Sequence, residues 1–592
     1  MKKIKDSVLY YRRDLARAAL LLWRADRRVS LINIILLIIL SVLPVVSLYI
    51  IKLLVETAVK GGPDQDRILG LIMLFSGAQF LLAIASQYSA YITTIHQQQL
   101  SDYLTSKVLA KAISVDFEYY ENPTYHDNLH LAQQQSLYKT ASLLTNFNSA
   151  LLNCSSILFL AIFFLSMQSL FALLFIVLFI PLAAIKWYSG YALLKLERST
   201  APLEREATYM HHVLTGVSYA KEVRILGFGD AFIEKFKKIR SHIHKGKTDL
   251  QSRLMKYSLL AETIEIMAMA FIFGWIALSV WEKTISVGTF VVYLQGFQRL
   301  QSTSKNFLQS LVQLFQQRLF LKDLFTFLDI PTVKPVSNHL DFPGSGTGLS
   351  LHNVSFTYPE TSKPVLKKVS VQCQPGKIVA IVGENGSGKS TLVKLLARLY
   401  SVREGEIRIN GTNINEINKL EFRDHTTFVF QDFEKYFLTI EENITIGTDK
   451  PESDRHKVER SAVLSGADTF IQKLSAGYKT RMGRLFQGSE QLSGGQWQKL
   501  ILSRIFYRDS KLIVLDEPTS ALDANAEFEL YKNLKEQLGN KMVVLISHRL
   551  YNLKLADHIY MMDDGEIVED GSFEELVERN GAFRKMYDAQ KL

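Results

Sequence analysis

The first half of the chain alternates long apolar runs with polar connections. Six such runs occur, at about 31–57, 69–95, 146–168, 170–189, 259–281 and 287–311. Each approaches the roughly 20 apolar residues that carry a helix across a bilayer, so six spans are predicted. The sixth is the least apolar, interrupted by Gln295, Gln298 and Arg299. The connections near 58–68, 168–170 and 282–286 are short, whereas 96–145 and 190–258 are long and polar, with helical patterns that extend the spans. In the first long connection, Asn122-Pro123 reads as an N-cap followed by a proline at the first helical position, opening a short helix through Gln133. In the second, Gly227-Phe-Gly-Asp230 precedes a helical start at Ala231.

Charge fixes the orientation. Lys2, Lys3, Lys5, Arg12, Arg13, Arg17, Arg24, Arg27 and Arg28 outweigh Asp6, Asp14 and Asp26 ahead of the first span, which predicts a cytoplasmic N-terminus. An even number of spans returns the second half of the chain to that side. Residues 7–28 place Val8, Tyr11, Leu15, Ala19 and Leu22 on one side, the pattern of a helix lying in the membrane interface. No small-residue cleavage site follows, so the segment reads as retained rather than as a secretory signal.

Hydrophobic residues make up 48% of the 592 residues, but a mean hydropathy of +0.07 is too low for a chain that is membrane throughout. A formal net charge of +10 could suit nucleic-acid binding. Much of that surplus lies in the cytoplasmic membrane flanks, where the positive-inside rule explains it without such a partner. Cys154 and Cys373 are too few for a disulfide framework or a metal cluster. His126 and His130 share a helical face but lack a third ligand. Between 331 and 348, Pro331, Pro335, Pro343 and three glycines break the pattern. The predicted organisation is a membrane domain at 1–330, a linker at 331–348 and a soluble domain at 349–592.

The soluble half carries the chemistry. Lys377–Val382 reads as a buried strand and Thr391–Tyr400 as a helix. Between them runs Gly383, Glu384, Asn385, Gly386, Ser387, Gly388, Lys389, Ser390 and Thr391, a glycine-rich loop whose N–H groups can wrap phosphates at a helix N-terminus. Lys389 can reach the β- and γ-phosphates, and the Ser390 hydroxyl can bind Mg²⁺. Farther on, Asp516 ends an apolar strand as a hard oxygen ligand for the Mg²⁺ shell, and Glu517 is the candidate catalytic base.

The run Leu492, Ser493, Gly494, Gly495 and Gln496 resembles the signature motif of ATP-binding cassette proteins, with Ser493 placed to cap a helix. The resemblance covers most of 350–592 and implies further roles. Tyr358 matches the aromatic that stacks on adenine. Gln431 matches the glutamine between nucleotide and membrane domain, which adds it to the catalytic set and to the Mg²⁺ ligands. Ser520–Asp523 matches a loop crossing a dimer interface, and His548 matches the histidine on the γ-phosphate. The implied fold is a six-helix membrane domain fused to an α/β phosphate-loop ATPase, with ATP and Mg²⁺ as cofactors. A signature serine completes the site of a second phosphate loop, so dimerisation is implied, most simply as a homodimer and alternatively with a different half-transporter.

Membrane domain first, short external loops and a complete hydrolytic set are similar to ATP-driven exporters in a bacterial inner membrane, with both termini cytoplasmic. Gly483–Gln491, Trp497-Gln498-Lys499 and Tyr120–Asp127 resemble nisin-type exporters of ribosomally made peptides. With about 28 residues before the first span and no cysteine among them, no thiol peptidase is expected. The alternatives are a multidrug or lipid exporter of the same architecture and an ATP-gated channel or regulator. Glu262 and Glu265 in the fifth span, and Gln295 and Arg299 in the sixth, are the candidate cavity-lining residues.

Overall fold

The computed structural model describes residues 2–60, 65–121, 123–167, 169–332, 340–344, 346–359, 361–448, 454–484, 486–519 and 522–590. Most side chains of 2–12, 123–138 and 168–182 lie outside the description. Asn122, Ser520, Ala521 and much of the predicted linker also lie outside it. Two compact units emerge. One is residues 1–115 with 121–331, and the other is 116–120 with 332–592.

The first unit is helical: α1 (Lys2–Ala25), α2 (Arg27–Lys60), α3 (Gln65–Ser114), then, beyond the excursion 116–120, α5 (Pro123–Met167), α6 (Ser169–Thr215), α7 (Ala220–Leu226), α8 (Gly229–Trp281), α9 (Val287–Gln316) and α10 (Arg318–Leu328), with α4 (Phe117–Tyr120) belonging to the second unit. Among the described residues, α2, α3, α5 and α8 are long and apolar enough to cross a membrane. The predicted span 170–189 falls in α6, on residues whose side chains are mostly outside the description. The sixth predicted span is helical as α9 but is not among the four.

Local chemistry sets the boundaries. Asp26 separates α1 from α2 by accepting from the N–H groups of Arg28 (2.8 Å) and Val29 (3.0 Å), which caps α2. Among the described side chains of α1, Ala18 and Leu22 are buried and Leu15 is half-buried, while Ala19 is exposed; Val8 and Tyr11 lie outside the described side chains. Pro123 does begin a helix, but it continues for 45 residues because no breaker interrupts it before Met167. The short helix of the second connection is α7, ended by Gly227 in the left-handed conformation (φ 65°). The helical start expected at Ala231 falls in the first turn of α8, which begins at Gly229 and runs on to Trp281.

Inside this unit small residues and polar pairs hold helices together, as expected where lipid offers no hydrophobic drive. A Cβ on Gly296 would meet the Phe164 ring at 2.4 Å, so glycine lets α9 approach α5 closely. Tyr293 stacks on the same Phe164 ring, and Phe297 lies tilted against it. Asn33 donates to the Asn148 side chain (2.9 Å), tying α2 to α5. Glu265 pairs with Lys305 (3.0 Å) and accepts from Gln301 (2.7 Å), while Glu262 lies 3.8 Å from the same lysine. Gln295, Gln298 and Arg299 lie on the exposed side of α9.

The second unit has two sheets. An antiparallel one runs in the order β2-β1-β4-β5, from β1 (Leu349–Phe356), β2 (Leu366–Cys373), β4 (Glu404–Ile409) and β5 (Thr412–Asn413). The other runs β10-β9-β3-β8-β7-β6, from β3 (Ile378–Gly383), β6 (Thr426–Val429), β7 (Leu512–Asp516), β8 (Met542–Ile546), β9 (His558–Asp563) and β10 (Glu566–Gly571). Its strands are parallel except β10. Every residue of β3, β7 and β8 is buried, which explains their unbroken apolar sequences. The excursion α4 packs here, with Phe117 edge-on to Tyr400 (6.1 Å between centroids).

Candidate active site

Sheet order decides which residues meet. Lys389 follows β3, His548 follows β8, Glu517 follows β7 and Gln431 follows β6, and these four strands are consecutive neighbours. Their carboxyl ends therefore form one crevice, the usual ligand position in such sheets.

The loop after β3 leads into α11 (Lys389–Leu396). Gly388, just before it, adopts φ 104°, and a Cβ there would lie 2.8 Å from Leu366, so only glycine fits without displacement. Lys389 is buried, with its ammonium donating to the carbonyls of Gly383 (2.9 Å) and Glu384 (2.7 Å). Burial lowers its pKa, and the carboxylates of Glu517 and Asp516 oppose that shift. Glu384, Asn385, Gly386 and Ser390 are exposed around it, while Ser387 and Thr391 are buried.

Asp516 is buried at the end of β7, and its pKa is pushed up to about 6 by burial and then by Glu517, against the pull of Lys389. Glu517 takes a left-handed backbone (φ 47°), uncommon for a residue with a side chain and typical of functional sites. Its carboxylate is held on both sides. One oxygen accepts from Gln431 Nε2 (2.8 Å), and the other lies 2.6 Å from His548 Nε2. Burial and then Lys389 lower the His548 pKa, while Glu517 pulls it up. A carboxylate so fixed can polarise a water, with Lys389 and His548 facing the same charge.

Two residues missed in the sequence reading support this pair. Glu527, in the first turn of α13 (Ala524–Glu536), has no exposed side-chain surface. It accepts from Thr519, two residues beyond Glu517, and from Arg549 (2.7 Å), next to His548. An acid four residues after Asp523 and an arginine directly after His548 were the available signals. Arg549→Ala leaves that buried carboxylate short of its cation and is expected to cost about 3 kcal/mol, the low end for a broken buried pair because Arg549 is partly solvated. Glu527→Ala should cost less, since Arg549 can turn to water. Denaturation midpoints of both variants check this, and the reverse order would refute it.

Tyr358, after β1, bonds the Thr391 hydroxyl (3.0 Å) and meets Phe356 and Tyr400 edge-on, which sets it beside α11. Ser493 caps α12 (Gly494–Tyr507): its hydroxyl accepts from Gln496 N–H (3.3 Å), and the Gln496 side chain accepts from Ser493 N–H (2.9 Å). These bonds are local to the cap, whereas Lys389, Asp516, Glu517, Gln431 and His548 converge.

The family model described as "ABC transporter" matches residues 366–520. Beyond that segment, the subtilin transport ATP-binding protein SpaT of Bacillus subtilis is 30% identical over 590 residues, covering 99% of this chain and 96% of that protein. The chain belongs to the ABC transporter family. The nisin transport ATP-binding protein NisT of Lactococcus lactis subsp. lactis is 26% identical over 579 residues, covering 96% of this chain and 95% of that one. The solved structure of a bacterial Atm1-family ABC exporter with ATP bound superposes with a TM-score of 0.80 at 20% identity, covering 98% of each chain. This ABC transporter is thus an exporter half-transporter, a helical membrane unit fused to an ATPase unit that binds and hydrolyses ATP.

Proposed function

We propose that two copies of this ABC exporter form a homodimer in a bacterial inner membrane and move a ribosomally made peptide out of the cytoplasm. The observation that carries the energetics is the Gln431–Glu517–His548 arrangement on adjacent strand ends, suited to hydrolysis rather than to nucleotide binding alone. Glu517 acts as base, and His548 and Lys389 stabilise the transferring phosphoryl group. Tyr358 holds adenine, and the loop from Gly383 to Thr391 holds the phosphates. Ser493, Gly494, Gly495 and Gln496 serve the site of the second copy, a reading supported by the local character of their bonds.

Mg²⁺ fits the donor set. Among the described residues no group of three or more His, Cys, Asp or Glu could hold a metal by itself. Asp516, the Ser390 hydroxyl and Gln431 are the oxygen donors, a small set of the kind Mg²⁺ takes together with phosphates and water. A divalent cation would also offset the burial, and then the repulsion from Glu517, that raise the Asp516 pKa. When bound it neutralises phosphate charge.

The peptide reading rests on full-length similarity to proteins named for subtilin and nisin transport. Gln295, Gln298 and Arg299, on the exposed side of α9, supply scattered polar groups for such a cargo. In inverted membrane vesicles, ATP-driven uptake is expected for a precursor or modified peptide and not for lipid-linked substrates tested alongside. Transport of the lipid with no peptide moved, and no stimulation of ATPase by peptide, would refute the cargo while leaving the exporter architecture intact.

A further inference from the structure

We infer that Gln590, on the last helix of the ATPase unit, is a positioning residue that holds the backbone of His548 through its carbonyl. The inference rests on the reading of His548 as the γ-phosphate histidine. The helix α14 (Ala582–Gln590) is fixed at its start, where the Glu569 carboxylate accepts from the N–H groups of Ala582 (2.5 Å) and Phe583 (3.1 Å). Phe583 is fully buried and edge-on to Phe573 (5.8 Å), which Tyr587 also meets edge-on (5.4 Å). These rings share a core with Leu553, Ile559 and Met561, so the helix packs against the segment that follows His548.

Residues 583, 587 and 590 fall on one helical face. Gln590 therefore points where Phe583 and Tyr587 point, and its Nε2 donates to the His548 carbonyl at 2.6 Å, across 42 residues of sequence. On the far side of that peptide, Arg549 N–H donates to the Ser547 hydroxyl (3.0 Å) and the Arg549 side chain is held by Glu527. The His548 backbone is thus pinned from two directions. Its ring reaches Glu517 at 2.6 Å only while that backbone stays in place. Gln590 bonds the backbone carbonyl of His548 and not its ring, so its effect is on the placement of the histidine.

The test uses the full transporter in proteoliposomes. Gln590→Ala is expected to lower kcat for ATP about fivefold, the scale of one lost hydrogen bond, with KM within about twofold. Gln590→Glu, of the same shape but without a donor, should fall at least as far, and Gln590→Lys, which keeps a donor, should recover most of the rate. In the His548→Ala background, Gln590→Ala should add almost nothing, because the group it positions is gone. Additive losses, a fall in KM terms alone, or wild-type rates in both Gln590→Ala and Gln590→Glu would overturn the inference while leaving His548 in its role. A wild-type rate for His548→Ala would overturn both.

Discussion

Glu517→Gln is expected to bind ATP normally and to hydrolyse it at least about a hundredfold more slowly, the usual scale for loss of a general base. The substitution preserves shape, so the loop after β7 and the phosphate loop should keep their places. What it removes is the charge that takes the proton. Phosphate release at saturating ATP and Mg²⁺, measured beside nucleotide binding on the same preparation, separates the two effects. A near-normal rate with intact binding would remove Glu517 from the role of base. The left-handed backbone at this position makes the prediction sharper, because a residue kept in an uncommon conformation (φ 47°) between two side-chain partners is fixed in aim.

Lys389→Ala acts one step earlier. Its ammonium is bonded to loop carbonyls and near two carboxylates, and in the proposed reading it is the cation that meets the β- and γ-phosphates. ATP affinity is expected to fall by about a hundredfold or more, beyond detection in most assays. Unchanged affinity would refute this. Because each site is proposed to join Lys389 of one copy to Ser493 of the other, two inactive chains should complement. Mixing Lys389→Ala with Ser493→Arg yields heterodimers in which one composite site has both native residues, and some activity should return. No recovery, with heterodimers shown to form, would argue against a shared site.

The ATP site was largely legible in the sequence because its parts are short, contiguous and chemically constrained. A strand, a glycine loop and a helix start fix Lys389 wherever the rest of the chain goes. Ser493 was placed to cap a helix, and the structure forms that cap, as a capping box with Gln496 that was missed in the sequence reading. What the sequence hid was pairing across distance. Gln431, Glu517 and His548 are 86 and 31 residues apart and meet only because β6, β7 and β8 are neighbours, an order no local pattern encodes. Glu527 and Gln590 were missed for the same reason, since each bonds a residue far along the chain, Arg549 and His548. In the membrane unit, length and hydropathy located helices well, and the local starts at Pro123 and near Ala231 hold, but not the helix lengths. Pro123 opens a helix of 45 residues rather than a short one, and the helix beginning at Gly229 runs on to Trp281.

The excursion 116–120 has a further consequence for how the molecule can be taken apart. Because that segment belongs to the ATPase unit while its flanks belong to the membrane unit, the polypeptide passes between the two units three times, at 115/116, 120/121 and 331/332. A single cut in the linker therefore severs one of three covalent passages. A fragment beginning at 349 would carry every nucleotide-binding residue named above yet lack Phe117, baring the edge of Tyr400 and the Lys394 side chain that faces both rings. An ATPase fragment cut at the linker therefore leaves behind five residues, 116–120, that group with it although they come from the opposite half of the chain.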